Sequence, residues 1–319
     1  MRGLKIVRFS VVIPLHNKAG FIRRSLDSVL LQTIEDYEII VVDDGSTDDG
    51  PDIVDGYNDP RIKLFRQENR GVSATRNRGI GEAGGKWIAF LDADDAWKPN
   101  YLQKILVLAE QYPQAGAYAT AYEIIMPSGK VVHPKYKAIP PPPWQGLLAS
   151  YFYSAVGIPP LCSSATAVPK HVIKTVGGFP VDVPLGEDLD MWGRIALRYP
   201  IAFCNEVAAS YIQDDKHPGN RHHYYFTNPE ASFVRTANEA IRRNEINAVN
   251  LKDLHEYLAK LQIYIGYDCL VEGGNPTVAR QILLRTSPAT SRLKWIKYRT
   301  LFQTYLSERL MRSVYNKKK

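Results

Sequence analysis

The segment FLDADDAW at residues 90–97 places three carboxylates within four residues, directly after a run of apolar side chains. Where a strand ends and unwinds, alternate residues such as Asp92 and Asp94 can reach into one crevice. Carboxylate oxygens suit Mg²⁺ or Mn²⁺ better than zinc, and two close carboxylates repel each other unless a positive charge lies between them. The spacing therefore predicts a site where Mn²⁺ or Mg²⁺ is shared with an anionic group such as a diphosphate.

A turn or helix cap is the alternative to a metal site. Aspartate is common in turns and at helix caps, so Asp95 or Asn100 is a candidate cap for a helix at residues 98–112. A calcium loop counted from Asp92 is excluded, because Trp97 replaces the required glycine and Gln103 the required glutamate. The D-x-D spacing alone does not exclude the interpretation as a turn.

A second acidic pair, Asp43 and Asp44, ends the segment YEIIVVDD. If this segment and the one before Asp92 are neighbouring parallel strands, both acidic groups lie in one crevice. Carboxylates there accept hydrogen bonds from a base N–H or from ribose hydroxyls. The alternative is that DDGSTDD forms only a turn and the N-cap of the next helix.

Strand-like and helix-like segments alternate through the first hundred residues. Uniformly apolar runs predict four strands, at residues 9–14, 37–44, 61–65 and 86–92. The segments between them have helical spacing, which predicts a mixed, mostly parallel α/β sheet flanked by helices. Ligands bind such sheets beyond the carboxyl ends of the strands, where Pro14 to Asn17 and the two acidic pairs lie.

The rest of the chain predicts fewer strands and more helix. A hairpin is expected at 115–134, and the proline-rich segment AIPPPPWQG at 138–146 is expected to form an extended loop outside any sheet. GEDLDMWGRI begins a helix whose first-turn acids, Glu187 and Asp188, suit the helix dipole. Strand patterns stop near Asn228, so we predict domains at 1–227 and 228–319, the second one helical.

The composition excludes several classes of protein. No apolar run reaches the roughly 18–20 residues that a membrane-spanning helix needs. The N-terminal apolar run lacks a small-residue cleavage site and predicts a buried strand instead of a secretory signal. Three widely spaced cysteines form neither a disulfide framework nor a zinc-ligand spacing, which favours a cytoplasmic protein.

The basic charge of the protein is concentrated in its last helix-like segment. The net charge is +7, and residues 291–319 carry nine Lys or Arg residues against one acid, Glu308. This amphipathic segment predicts either contact with a membrane surface or packing on residues 254–270. No reading motif for nucleic acid accompanies it, so no nucleic acid is expected. Its predicted apolar positions are Ile296, Leu301, Phe302, Tyr305, Leu306, Leu310 and Met311.

Five motifs together resemble the family 2 glycosyltransferases, which have the GT-A fold. They are VVIPLHN, VVDDGSTDD, ENRGVSATRNRGI, FLDADDAW and GEDLDMWGRI, and their order and spacing match over about residues 9–215. The resemblance implies transfer of a sugar from a nucleoside diphosphate donor, usually UDP-linked, with inversion at the anomeric carbon. If the basic segment at residues 291–319 contacts a membrane, the expected acceptor is a glycan or lipid-linked glycan in the synthesis of surface polysaccharide.

The resemblance also assigns roles to residues of this chain. It implies a nucleotide pocket, metal ligands at Asp92 and Asp94, and a general base at Asp188 beside Glu187. The match is loose for a histidine that completes the metal site in many relatives, and His217 is the first candidate, with Arg221, His222 and His223 nearby. The expected nucleotide-binding residues are Pro14, Asn17, Asp43, Asp44, Arg76, Asn77 and Asp92.

Two other functions use some of the same residues. A nucleotidyltransferase also needs a nucleotide crevice and acidic metal ligands, but the sequence GGKW is a weak substitute for its glycine-rich phosphate loop. A non-catalytic sugar-binding protein is the third candidate. Binding alone does not require a base such as Asp188, so the sequence favours the transferase.

Overall fold

The computed structural model describes residues 7–183, 185–213, 231–246, 251–271 and 275–315, with side chains described up to residue 305. Internal contacts divide the chain into two compact units, Met1–Lys216 and His217–Lys319. The boundary that the sequence predicts, between residues 227 and 228, lies outside the described residues.

The first half of the N-terminal unit is a parallel sheet with strand order β3-β2-β1-β4. Helices connect successive strands, as the alternating sequence pattern predicts. Almost every residue of β1 and β2 is buried, because helices cover both faces of a parallel sheet. The elements are β1 (Phe9–Leu15), α1 (Ala19–Leu30), β2 (Tyr37–Asp44), α2 (Gly50–Asp55), β3 (Ile62–Gln67), α3 (Gly71–Glu82) and β4 (Trp87–Phe90).

The second half of the sheet is mixed and continues from β4 in the order β9-β6-β10-β5. Strand β9 is antiparallel to both β4 and β6, whereas β10 is parallel to β6. The fold is therefore the mixed α/β sheet that the sequence predicts. The elements are β5 (Ala96–Trp97), α4 (Tyr101–Gln111), β6 (Ala117–Ile125), β7 (Val131–Val132), β8 (Gln145–Leu147), α5 (Tyr151–Ala155), β9 (Thr166–Pro169), α6 (Lys170–Val176), α7 (Glu187–Arg198) and β10 (Ile201–Ile212).

Two downstream expectations have different outcomes. The predicted hairpin is present, because β7 pairs antiparallel with β6. The prediction that residues 138–146 stay outside any sheet is wrong at its end, since Gln145 and Gly146 pair with Cys204 and Phe203. The last proline of the segment is Pro143, so the residues after it have the backbone N–H that a sheet needs.

The C-terminal unit is helical over its described residues. Its buried polar contacts hold helix ends together: Glu256 accepts hydrogen bonds from the backbone N–H groups of Ala289 (2.6 Å) and Thr290 (3.0 Å). No described helix of the chain is both long enough and apolar enough to cross a membrane. The helices are α8 (Ser232–Arg242), α9 (Leu251–Val271), α10 (Pro276–Arg285) and α11 (Ser291–Tyr315).

Helix α11 has two different faces. It packs against α9 and α10, with Leu293, Thr300 and Thr304 buried. Of its predicted apolar positions, Ile296 and Leu301 are half-buried, whereas Phe302 and Tyr305 are exposed. The others, Leu306, Leu310 and Met311, lie beyond the described side chains. The other face is aromatic, and four of its rings are each more than half exposed: Trp295, Tyr298, Phe302 and Tyr305.

Candidate active site

The carboxyl ends of three neighbouring strands bring the predicted site residues to one edge of the sheet. Strand β1 lies between β2 and β4, and Leu15 pairs with Asp43 in the parallel register. Just beyond β4, the Leu91 N–H donates to the carbonyl of Val12 at 3.1 Å. This bond keeps the chain beside β1 up to Asp92, the next residue. The tertiary structure therefore places the two acidic strand ends on either side of the β1 end.

Asp44 and Asp43 both bind backbone N–H groups. Asp44 is buried, and its two carboxylate oxygens accept from the N–H groups of Arg70 (2.9 Å) and Gly71 (2.8 Å), where α3 begins. Asp43 accepts from the Ser46 N–H at 3.1 Å and holds the turn after β2. The pair thus stabilises a turn and a helix start, although the helix is α3 and not the next one along the chain.

Asn17 closes the β1 end onto the same turn. Its backbone has a positive φ of 51°, and its side-chain oxygen accepts from the Thr47 N–H at 2.8 Å. The Asn17 N–H donates to the Ser46 hydroxyl at 3.0 Å. Pro14, three residues earlier, lies inside β1 and is half-buried. These contacts fix the loop that borders the crevice.

Each carboxylate of the D-x-D segment has its own cation. The Arg76 guanidinium lies 2.7 Å from Oδ1 of Asp92, and the Lys18 ammonium lies 2.6 Å from Oδ2 of Asp94. Both aspartates keep about a quarter to a third of their side chains exposed. The mutual repulsion that the sequence predicts is therefore offset by protein cations from α3 and from the start of α1.

Arg76 joins the D-x-D segment to helix α7. Its second guanidinium nitrogen lies 2.8 Å from Oε1 of Glu187, and its side chain is 4% exposed. Its guanidinium also lies over the Phe179 ring, 5.2 Å from the centroid. Burial disfavours the Arg76 charge, but the charges of Asp92 and Glu187 outweigh it and raise the Arg76 pKa. Arg76, expected in the nucleotide pocket, forms a buried bridge between two carboxylates, one of which is Asp92.

Asn77, the next residue, anchors the loop before α7. Its amide donates to the carbonyl of Phe179 at 2.7 Å and accepts from the N–H of the same residue at 2.8 Å. Gly178 allows this approach, because a Cβ built there would lie 2.4 Å from the Asn77 side-chain oxygen. Both polar atoms of the Asn77 side chain therefore serve the loop that leads to Glu187 and Asp188.

Asp188 is a half-buried carboxylate in the first turn of α7. Burial, and then the charge of Glu187, raise the pKa of Asp188 to about 7, against the lowering effect of Arg76. One of its oxygens accepts from the Leu189 N–H at 2.7 Å. An aspartate with a pKa near 7 is a competent proton acceptor at neutral pH, because enzymes tune bases toward the working pH.

Asp95 is a site residue whose role the sequence did not indicate. It is buried, and its two carboxylate oxygens accept hydrogen bonds from the Ile212 N–H at 2.8 Å and from the Ser164 hydroxyl. Burial, and then the charges of Asp92 and Asp94, raise its pKa well above the ordinary value. It caps no helix, and neither does the Asn100 side chain, which makes no capping bond to α4. Asp95 ties β10 to the D-x-D segment.

Asp92 and Asp94 could bind a divalent cation if a bound substrate supplied further oxygen ligands. Among the described residues, no group of three or more His, Cys, Asp or Glu side chains is arranged to hold a metal ion. Asp92 and Asp94 provide two carboxylates, and Mg²⁺ is commonly bound by one or two carboxylates together with substrate phosphates. His217, Arg221, His222 and His223 lie outside the described residues, so the histidine prediction stays a prediction.

Comparison with known proteins agrees with the motifs. Residues 10–163 match the family model described as Glycosyl transferase family 2. An uncharacterised glycosyltransferase of Nostoc sp. is 26% identical over 300 residues, which cover 91% of this chain and 84% of that protein. An uncharacterised glycosyltransferase of Rickettsia felis is 31% identical over 61% of this chain. A putative glycosyltransferase of Bacillus subtilis, EpsH, is 43% identical over 30% of this chain. The matches cover 31% and 29% of the Rickettsia and Bacillus proteins, less than a third of their length.

The fold matches solved structures along nearly the whole chain. The crystal structure of S. aureus TarS residues 1–349 in complex with UDP-GlcNAc superposes with a TM-score of 0.66, at 16% identity. The superposition covers 95% of this chain and 92% of that one, and shows that the two share a fold. Together with the ordered motifs, the family match identifies residues 10–163 of the chain as a glycosyl transferase family 2 sequence.

Proposed function

We propose that this protein transfers a sugar from a UDP-linked donor to an acceptor hydroxyl, with inversion at the anomeric carbon. The observation that carries the proposal is the Arg76 bridge. It joins Asp92, at the strand edge where nucleotides bind α/β sheets, to Glu187, the neighbour of a carboxylate whose pKa is about 7. A donor site and a proton acceptor thus belong to one connected group of charges.

The nucleotide is proposed to lie beyond the ends of β1 and β2. Asp44 has both oxygens engaged with the start of α3, so Asp43 is the better candidate to accept from the base or ribose. The choice of UDP is supported by TarS, which shares the fold and whose crystal structures include complexes with UDP-GlcNAc and with UDP.

Asp92 and Asp94 are proposed to hold Mn²⁺ or Mg²⁺ together with the donor diphosphate. A bound cation neutralises the charge that develops on the phosphate oxygens of the leaving group. The protein supplies part of the local charge balance, because the Arg76 guanidinium pairs with Asp92.

Asp188 is proposed to be the general base, with Glu187 as its positioning neighbour. In a single displacement, the acceptor hydroxyl attacks opposite the leaving group and loses its proton to a carboxylate. Glu187 is held by Arg76, whereas the only hydrogen bond found for Asp188 among the described residues comes from the Leu189 N–H. No covalent intermediate with the protein is required, which gives inversion.

The acceptor is proposed to be a glycan or a lipid-linked glycan used in surface polysaccharide synthesis, at the inner face of the cell membrane. This part rests on the exposed rings of α11, at three- and four-residue spacing, beside four basic residues. Aromatic and basic side chains favour the interface of an anionic bilayer. Vesicles with and without anionic lipid test it at low salt, and equal indifference of the full chain to both would contradict it. The four basic residues are Arg292, Lys294, Lys297 and Arg299.

Calorimetric titration of UDP, GDP, CDP and ADP, each with Mn²⁺ and again with chelator, tests the donor site. We expect preferential UDP binding that is lost with chelator and is weakened in Asp94→Asn. Analysis of products then separates the reaction classes, since sugar transfer releases UDP and nucleotidyl transfer releases pyrophosphate. If none of the four nucleotides binds, the donor assignment is refuted.

A further inference from the structure

Lys18 is a cation of the site to which neither the motifs nor the proposed mechanism gives a role. It lies between Asn17, at the end of β1, and Ala19, the first residue of α1. Its ammonium is 2.6 Å from Oδ2 of Asp94, and the two side chains are 22% and 26% exposed. Lys18 therefore already neutralises the carboxylate that a divalent cation would bind.

The position of Lys18 is fixed from both sides in sequence. Asn17 is bonded to the turn after β2, and the Ala19 N–H donates to Oδ2 of Asp48 at 2.8 Å. The Lys18 ammonium also lies 5.4 Å from the centroid of the Phe21 ring. The backbone is thus held while the four-carbon side chain can still reorient, which is typical of a lysine at a phosphate site.

An ammonium and a divalent cation compete for the charge of one carboxylate. Mg²⁺ binds carboxylate oxygens at about 2.0–2.1 Å, and an ammonium at hydrogen-bond distance from the same carboxylate would repel it. The cation therefore binds Asp94 more tightly when Lys18 leaves. A diphosphate in the crevice offers the departing ammonium a new anionic partner nearby.

We propose that Lys18 is an exchanging counter-ion: it neutralises Asp94 without donor and transfers to the donor diphosphate when the divalent cation binds. This inference rests on the proposed donor site and adds a residue to it. It links the two ligands, because the cation displaces Lys18 and the diphosphate then receives it. Metal and nucleotide should therefore bind cooperatively, with Lys18 as part of the coupling.

Replacement of Lys18 by methionine should have opposite effects on the affinities for Mn²⁺ and for UDP. Without nucleotide, Mn²⁺ should bind Lys18→Met about fivefold more tightly, since a partly exposed ion pair contributes at most about a factor of five. With Mn²⁺ present, UDP should bind the variant roughly tenfold more weakly, because a charged hydrogen bond to phosphate is lost. A variant that merely distorts the loop would weaken both.

The test is titration of Mn²⁺ by electron paramagnetic resonance, alone and with UDP, on the full chain. Lys104→Met is the matched control, because Lys104 has a similar burial, 17%, and pairs with Glu206 at 3.0 Å. It should change neither affinity. Lys18→Arg keeps a cation on Asp94 and should show no gain in Mn²⁺ affinity.

The outcomes distinguish failure of the Lys18 exchange from failure of the proposed donor site. Tighter Mn²⁺ and weaker UDP binding in Lys18→Met support the exchange. Unchanged Mn²⁺ affinity in Lys18→Met, in a protein that binds Mn²⁺ with UDP, would overturn the exchange and leave the donor site standing. UDP binding that needs Lys18 but is indifferent to chelator would also overturn it, because Lys18 would then replace the metal. No binding of either ligand to the wild type would overturn both proposals.

Discussion

Replacement of Arg76 by methionine isolates the contribution of the buried charge bridge to stability. The variant leaves Asp92 and Glu187 without their shared cation while keeping most of the side-chain volume. Removal of one partner from a buried ion pair costs about 3–5 kcal/mol. Asp92 remains 30% exposed and can be rehydrated, so we expect the lower end of that range, about 3 kcal/mol at pH 8.

Urea unfolding at pH 8 measures this loss. Four of the five tryptophans lie in the N-terminal unit, so fluorescence mainly follows that unit: Trp87, Trp97, Trp144 and Trp192. Arg78→Met is the control on the same helix, since Arg78 is 48% exposed and forms an ion pair with Glu82. It should cost less than about 0.5 kcal/mol. An Arg76→Met loss no larger than that of Arg78→Met would refute the reasoning, because the bridge would then contribute no more than an exposed ion pair.

Three further predictions concern the base on α7 and the loop before that helix. Asp188→Asn should keep metal-dependent UDP binding and lower transfer by at least a hundredfold, as loss of a general base does; near-full turnover would exclude Asp188 as the base. In the wild type, kcat should rise with pH through about 7 and level off above it, because the Asp188 base acts when ionised. Gly178→Ala should cost about 1–3 kcal/mol in urea unfolding, because its Cβ displaces Asn77 from Phe179; unchanged stability would show that the loop relaxes freely.

The alternating pattern of the first hundred residues was sufficient to predict the parallel half of the sheet. Apolar period and length are local properties, and runs such as YEIIVVDD can be buried on both faces only in a sheet covered by helices. The proline-rich segment was predicted less well. Proline excludes pairing where it stands, but Gln145 and Gly146 joined β10 because their position beside it depends on the folded chain.

The assignment of roles within the motifs depended on contacts that no local pattern contains. Asp95 shares a motif with Asp92 and Asp94 but bonds to Ser164 and Ile212. Arg76 and Asn77 were both expected at the nucleotide, and the structure places one between carboxylates and the other on the loop before α7. Residue type limited what these groups can bind, and packing decided which group each of them contacts.

The sequence by itself determined the alternation of strands and helices in the first hundred residues, the acidic strand ends and the resemblance to the family. These follow from periodicity and residue type within short windows of the chain. Only the tertiary structure decided how the charges pair: Arg76 meets Glu187 across 111 positions, and Lys18 meets Asp94 across 76. Pairing at such separation is set by the order of the strands in the sheet, because their common edge brings the start of α1, the D-x-D segment and α7 together.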